Sequence, residues 1–356
     1  MRYVKLEEIC FKGVSSLRQK DTLPVGDYPV YGASGICGYL SGYQHNEPYV
    51  AVVKDGAGVG RVQLCSGKSS VLGTLQALLP KDEVSCEYLY EVVRSLELGA
   101  GFTGSTIPHI YFKDYKNRTV VIYEKEQQTK ITTLFTTLKN VVELHKCAIS
   151  FYDELVKSRF VEMFGGFEKR TLVGDLCNCI VPGRDKPKSF SGETPWITTD
   201  DLIDGGITYF SKSGLGLSDE EIEQVHARII PKDSVLMTCV GRLGICSIAG
   251  CDLVANQQLH SFLCDLDSIN NTFLMYQLKT SKKYMLENAK SVTVQYMNKK
   301  TCNSIPIACP PLSLQQEFAD FVHQVDKLKF ETQQSIEKLQ MLYDSLAQEY
   351  FAPEGD

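Results

Sequence analysis

The stretch EQQTKITTLFTTLKNVVELHKCAISFYDELVKSRFVEMF (126–164) decides how the rest of the chain is organised. Its packing positions fall at Ile131, Leu134, Leu138, Val141, His145, Ala148, Tyr152 and Leu155. The steps alternate three and four, which is the a/d seam of a heptad helix. The same seam recurs far downstream at Phe318, Phe321, Val325, Leu328, Thr332, Ser335, Leu339 and Leu342. Ile131 against Phe318 gives an offset of 187, and that offset holds at every position. A flanking apolar row repeats as well, with Phe135, Ile149 and Val156 against Val322, Ile336 and Tyr343. Both helices open on a Gln pair, Gln127-Gln128 and Gln315-Gln316, and both close on similar turns, SRFVEMF (158–164) and SLAQEYF (345–351). One chain carries the same long helix twice.

What precedes each helix repeats too. YVKLEEI (3–9) stands opposite RTLVGDL (170–176), both read as short strands, and GDYPVY (26–31) opposite GETPWI (192–197). The X-Pro steps favour extended backbone. The halves then diverge, the second carrying a longer polar insert, and rejoin at Val59-Gly60-Arg61-Val62 and Val240-Gly241-Arg242-Leu243. They match again at LQALL (75–79) and LHSFL (259–263), at the helical EYLYEVVRS (87–95) and TFLMYQLKT (272–280), and at the strands TVVIY (119–123) and SIPIAC (304–309). Order is preserved throughout. The pattern predicts an internal duplication: a globular α+β unit, a long helix, a second α+β unit, a second long helix. The divisions expected are 1–123, 124–166, 167–311 and 312–356. Gly165-Gly166 ends the first helix, and Pro310-Pro311 with a Ser313–Gln316 capping box starts the second.

The whole-chain numbers set bounds. The sequence has 356 residues, 43% hydrophobic and 22% charged, enough for each half to bury a core. No apolar run approaches a membrane span and the N-terminus has no signal-peptide core, so a soluble, cytoplasmic protein without membrane contact is expected. Thirteen cysteines are scattered without a CxxC pair. They read as reduced, small apolar residues rather than a zinc or disulfide framework. The net charge of −6 hides local asymmetry: between Lys279 and Lys300 six lysines face one acid, Glu287. Such a face can bind phosphates although the total is negative.

Catalytic constellations are not evident. There is no P-loop, and no HExxH or other ligand spacing among the six histidines. GAGFTG (99–104) fits GxGxxG formally, but it follows a helical stretch, the reverse of a dinucleotide fold. DGAGVG (55–60) reads as a tight turn between strands. Two similar heads on rods, without a reaction centre, read as a recognition device with no metal and no cofactor of its own. The alternatives are a DNA methyltransferase or nuclease with an unrecognised motif, and a coiled-coil protein scaffold.

The sequence resembles the specificity subunit of type I restriction–modification systems. The resemblance is carried by YPVYGASG (28–35), DGAGVGRV (55–62), VGRL (240–243), PPLSLQQEF (310–318) and the paired helix ends, and it spans essentially the whole chain. It implies two target recognition domains, each reading half of a bipartite double-stranded DNA site. The two helices, packed as an antiparallel coiled coil, act as the ruler between half-sites. Two modification (N6-adenine methyltransferase) subunits would bind, and restriction subunits can join them. S-adenosylmethionine, ATP and magnesium belong to those partners.

Recognition domains of this family vary in sequence, so contact residues must be argued chemically. Base edges need Arg, Lys, Asn, Gln, Ser or Thr, and phosphates need basic or small polar groups. The candidates in the first head are Tyr31, Ser34, Lys54, Arg61, Ser105, Thr106 and His109. In the second they are Thr198, Thr199, Arg242, Asn256, Gln257, Ser291, Thr293 and Gln295.

Overall fold

A computed structural model describes residues 1–56, 58–100, 108–183, 185–290 and 294–352. The first head begins with β1 (Arg2–Lys5), a one-turn helix α1 (Leu6–Ile9) and β2 (Cys10–Lys12). It continues through β3 (Tyr28–Gly32), β4 (Gly35–Leu40), β5 (Tyr49–Val53), β6 (Val62–Cys65), β7 (Ser70–Val71) and β8 (Leu75–Pro80). Helices α2 (Cys86–Ser95) and α3 (Phe112–Tyr115) and strand β9 (Thr119–Ile122) lead into the long helix α4 (Lys125–Phe164). β9 pairs antiparallel with β1. The main sheet has the order β2-β8-β5-β6, and a smaller sheet the order β4-β3-β7, in which β3 runs parallel to β7.

The second head repeats this plan. It comprises β10 (Arg170–Leu172), α5 (Val173–Leu176), β11 (Cys177–Ile180), β12 (Thr194–Ile197), β13 (Ile207–Thr208), β14 (Gly216–Leu217) and α6 (Asp219–Gln224). Then come β15 (Val235–Thr238), β16 (Cys246–Ala249), β17 (Val254–Ala255), β18 (Leu259–Cys264), α7 (Asn271–Thr280), α8 (Lys282–Asn288), α9 (Lys299–Asn303), β19 (Pro306–Ala308) and the long helix α10 (Leu312–Phe351). Its main sheet, β11-β18-β15-β16-β13, is the first head's with one strand added, and β14-β12-β17 again sets a central strand parallel to its last neighbour. The polar insert read from sequence supplies the added pieces, β13 and α6.

Local chemistry explains the elements. β5, YVAVV, and β15, VLMT, are buried at every position, as strands covered on both faces must be. Ser85 caps α2 through Oγ accepting from Tyr88 N, and Asn270 caps α7 through Oδ1 accepting from Phe273 N, each at 3.1 Å. LEEI does not extend β1 as expected. Glu8 Oε1 accepts from Lys5 N at 2.7 Å and turns the chain into helix.

One buried side chain in each half ties head to long helix in the same way. Gln128 donates to the carbonyls of Glu83 and Tyr123 and accepts from Ser85 N. Gln315 donates to the carbonyls of Ser268 and Pro310 and accepts from Asn270 N. The two are 187 positions apart. Each Gln satisfies three backbone groups at the junction of two helix starts, where unpaired groups would be costly.

Two compact units result. One holds Met1–Cys147 with Thr332–Asp356, the other Ala148–Glu331. Within the first, α4 and α10 run antiparallel, since Phe135 stacks on Tyr343 and Tyr123 on Tyr350. Within the second they do so again, with Lys329 donating to Asp153 and Arg159 to Glu317.

The helix seam needs correction. Leu134, Leu155, Leu328 and Leu342 are exposed by 36%, 48%, 45% and 47%. Phe135, Val156, Phe160, Val322, Ile336 and Tyr343 are buried instead, beside Ile131, Leu138, Phe318 and Val325. Val141, Ala148, Tyr152, Phe321, Ser335 and Leu339 are half-buried. Each helix packs on a head as well as on the other helix: Phe135 meets Phe351, which itself stacks on Tyr88 of α2. The buried arc is therefore turned and widened from a two-helix seam. Ser313 lies inside α10 and caps nothing described; the carbonyl of Pro311 accepts from Leu314 N and Gln315 N instead.

Candidate nucleic-acid interface

In the first head, the hairpin β5–β6 turns through DGAGVGR. Gly60 has φ +81°, and a Cβ there would stand 2.1 Å from Gly99 N. Only glycine fits, and the tight turn projects the next residue, Arg61, into solvent. Arg61 Nη1 donates to the carbonyl of Ala33 at 3.1 Å, which holds it against the β3–β4 turn containing Ser34. Gln63 Nε2 donates to the Gly32 and Ala33 carbonyls and fixes the same turn. Tyr31, at the end of β3, shares a hydrogen bond with Ser66 Oγ at 3.2 Å. Lys54 and His109 meet through backbone: Lys54 O accepts from Ile110 N, and Asp55 bridges His109. The fold thus gathers Tyr31, Ser34, Lys54, Arg61 and His109 at the ends of β3, β5 and β6. Ser105 and Thr106 lie outside the described residues, as does most of GAGFTG.

The second head builds the same corner with different residues. Gly241, φ +75°, precedes the exposed Arg242. Its amide donates to the Gln295 carbonyl at 2.9 Å, and Thr238 Oγ accepts from Ile245 N at 3.0 Å to close the loop. Asn256 N donates to the Ile197 carbonyl just as Leu72 N donates to Tyr31 O. This places Thr198 and Thr199 where the first head has its β3–β4 turn. Buried Asp201 shapes that loop, accepting from Thr198 N and Oγ1 on one oxygen and from Lys212 N and Ser211 Oγ on the other. A cleft of about 630 Å³ brings together Thr199, Arg242 and Gln295 with Lys212, Lys282, Asp200 and Asp204. Asn256 Nδ2 bonds Gln258, and Gln257 is exposed beside it. Ser291 and Thr293 lie outside the described residues.

Gln63 and Lys212, which lie beside these candidates, were not among those read from sequence, Lys212 because nothing local distinguishes one surface lysine from another; Lys282 belongs to the lysine-rich stretch 279–300. Lys279 pairs with Asp204 at 3.1 Å, so the lysine-rich stretch is partly neutralised from within. α6 braces the smaller sheet through Glu221, whose carboxylate accepts from Ser218 N and from Ser191 N and Oγ. Hydrogen bonds from Ser189, then Ser218 and Ser191, lower the Glu221 pKa to about 2.

The profile of the type I restriction modification DNA specificity domain matches residues 1–150 and again 166–341. This chain belongs to that family. Among curated relatives, the specificity subunit of the type I restriction enzyme MjaIX of Methanocaldococcus jannaschii is 24% identical over 158 residues, 44% of this chain. The match spans 36%, about a third, of that relative's length. The fold resembles that of the type I S subunit from M. genitalium, with TM-score 0.61 and 15% identity over 99% of this chain and 96% of that one. A chain from a structure on complex assembly and conformational transition of a type I R-M system gives TM-score 0.64 and 16% identity, covering 98% and 97%. Among the described residues no helix is long and apolar enough to cross a membrane.

Proposed function

We propose that this chain recognises a bipartite double-stranded DNA target, one half-site per head, as the non-catalytic specificity subunit of a cytoplasmic type I restriction–modification complex. It directs two methyltransferase subunits, with restriction subunits as further partners. Residues 1–123 and 167–311 act as the recognition domains, and 124–166 and 312–356 as the helices that set their spacing. The observation that carries this reading is the repeated corner. In each head a positive-φ glycine presents an exposed arginine, Arg61 or Arg242, beside the end of a parallel strand pair. An arginine so placed can grip phosphate, while neighbouring Ser34, Thr199 and Gln295 can reach base edges.

The test selects bound DNA from a randomised pool, using the full chain with its modification partner. Arg61→Ala and Arg242→Ala should each weaken binding and lower the salt slope by about one unit. Unchanged affinity and slope for both would remove the assignment. The ruler is tested by adding one heptad to each helix, between Val141 and Ala148 and between Leu328 and Ser335. About 10.5 Å of added helix should widen the preferred gap by about three base pairs with unchanged half-sites. A fixed gap would exclude the helices as the ruler.

A further inference from the structure

The second head brings two cysteines and a histidine together from distant parts of the sequence. β15 and β18 pair with Met237 opposite His260, so Cys239, two residues beyond Met237, shares a sheet face with His260. Cys179 on β11 pairs with Phe262, two residues from His260, and faces the same way. Cys302 comes over that face from α9. Cys302 Sγ lies 3.6 Å from Cys239 Sγ and 3.2 Å from His260 Nδ1. The three donor atoms all fall within 4.8 Å of one another, and all three residues are buried.

We propose that Cys239, His260 and Cys302 hold one zinc ion. Tetrahedral zinc with ordinary bond lengths sets two sulfurs about 3.8 Å apart and a sulfur and a nitrogen about 3.5 Å apart, so the observed edges match. Thiolate and imidazole donors in a closed, buried site select zinc over harder cations. Zinc entry displaces the two thiol protons of Cys239 and Cys302 to solvent, so affinity rises with pH. Among its described residues the first head has no such set: at the ladder position of His260 it carries Gln76, whose amide donates to the Gly13 and Ala77 carbonyls.

The ion would pin α9 to the sheet and fix the start of the loop that ends at Arg242, since Met297 N also donates to Cys239 O at 2.9 Å. That last consequence rests on the proposed DNA reading; the metal test does not. The untagged full chain, incubated with zinc and desalted, should retain about one zinc per chain, with X-ray absorption showing two sulfurs near 2.3 Å and one protein nitrogen near 2.0 Å. Cys302→Ser and His260→Gln should each fall to less than about a tenth of that occupancy, while Cys65→Ser in the first head keeps it. Because a ligand variant can misfold, cobalt reconstitution of the unaltered chain gives a second reading, expected to show sulfur-to-cobalt charge-transfer bands. Failure to retain zinc, or a metal without sulfur neighbours, would overturn the site.

Discussion

The two head–helix junctions share a backbone and differ in chemistry. In the first unit, Glu91 of α2 accepts from Lys139 Nζ at 2.6 Å and from the Tyr343 hydroxyl, and the Arg94 guanidinium sits 4.0 Å over the Tyr343 ring. In the second, Tyr276 stands at the same place relative to its helix cap, and the contact is aromatic. Phe318 meets Phe160, Phe164 and Tyr276 at ring separations of 5.3, 5.5 and 5.2 Å, and Phe164 meets Phe273 at 4.7 Å. Both junctions retain the bracketing glutamine. The duplicated architecture therefore demands the groups that close backbone hydrogen bonds, Gln128 and Gln315. It leaves the packing between them free to become an ion pair or a ring cluster, because either can fill the same space when its polar atoms are paired.

The largest expected effect breaks the aromatic side of the comparison. Phe318→Ala should destabilise the second unit by about 3–5 kcal/mol. Amide exchange should speed up in α7 and leave α2 protected; equal loss in both would show that the units do not unfold separately. Next come the two turns. Gly60→Ala adds a Cβ that strikes the backbone of Leu98 and Gly99, and should cost about 2–4 kcal/mol. Gly241→Ala meets open space and carries only the positive-φ penalty, about 1 kcal/mol. Equal midpoints in denaturant for the two variants would refute this ordering.

On the polar side, Glu91→Ala strips the acceptor from Tyr343 and Lys139. Lys139 is about one-third exposed and can turn to water, so the loss should be about 1–3 kcal/mol, less than for Phe318. A larger loss than for Phe318→Ala in paired melts would reverse the comparison. The smallest effect concerns α6, which has no counterpart among the described residues of the first head. Glu221 titrates at about 2 when folded, below the ordinary carboxylate range. Its contribution should be complete above about pH 4.5 and lost as pH falls toward about 2. Glu221→Gln should therefore be less stable than the parent at neutral pH, and the gap should close in acid. A gap independent of pH would disprove the ionic role.

Much of this was legible in the sequence. The offset of 187 tied the helices together, and it falls on Gln128 and Gln315, the pair that makes the repeated bracket. VGRV and VGRL located both turns, since glycine takes positive φ without the steric cost that other residues meet there. The match between the halves also predicted α2, α7, β9 and β19, because apolar runs of helix or strand length are a local property of the chain.

The tertiary structure decided what depends on a second surface. Heptad spacing showed that a stripe is apolar, but Leu155 and Leu328 are exposed while Phe160 and Val322 are buried. Which arc is covered depends on the head lying beside it. The cleft at Arg242 unites Thr199, Lys212, Lys282 and Gln295 from four separate segments, and no spacing announces it. Along the chain, Cys239 and Cys302 read as two of thirteen scattered cysteines and His260 as a histidine without ligand spacing. Strand pairing and one short helix set them within bonding reach of a single ion, since convergence of side chains is a property of register and packing, not of sequence distance.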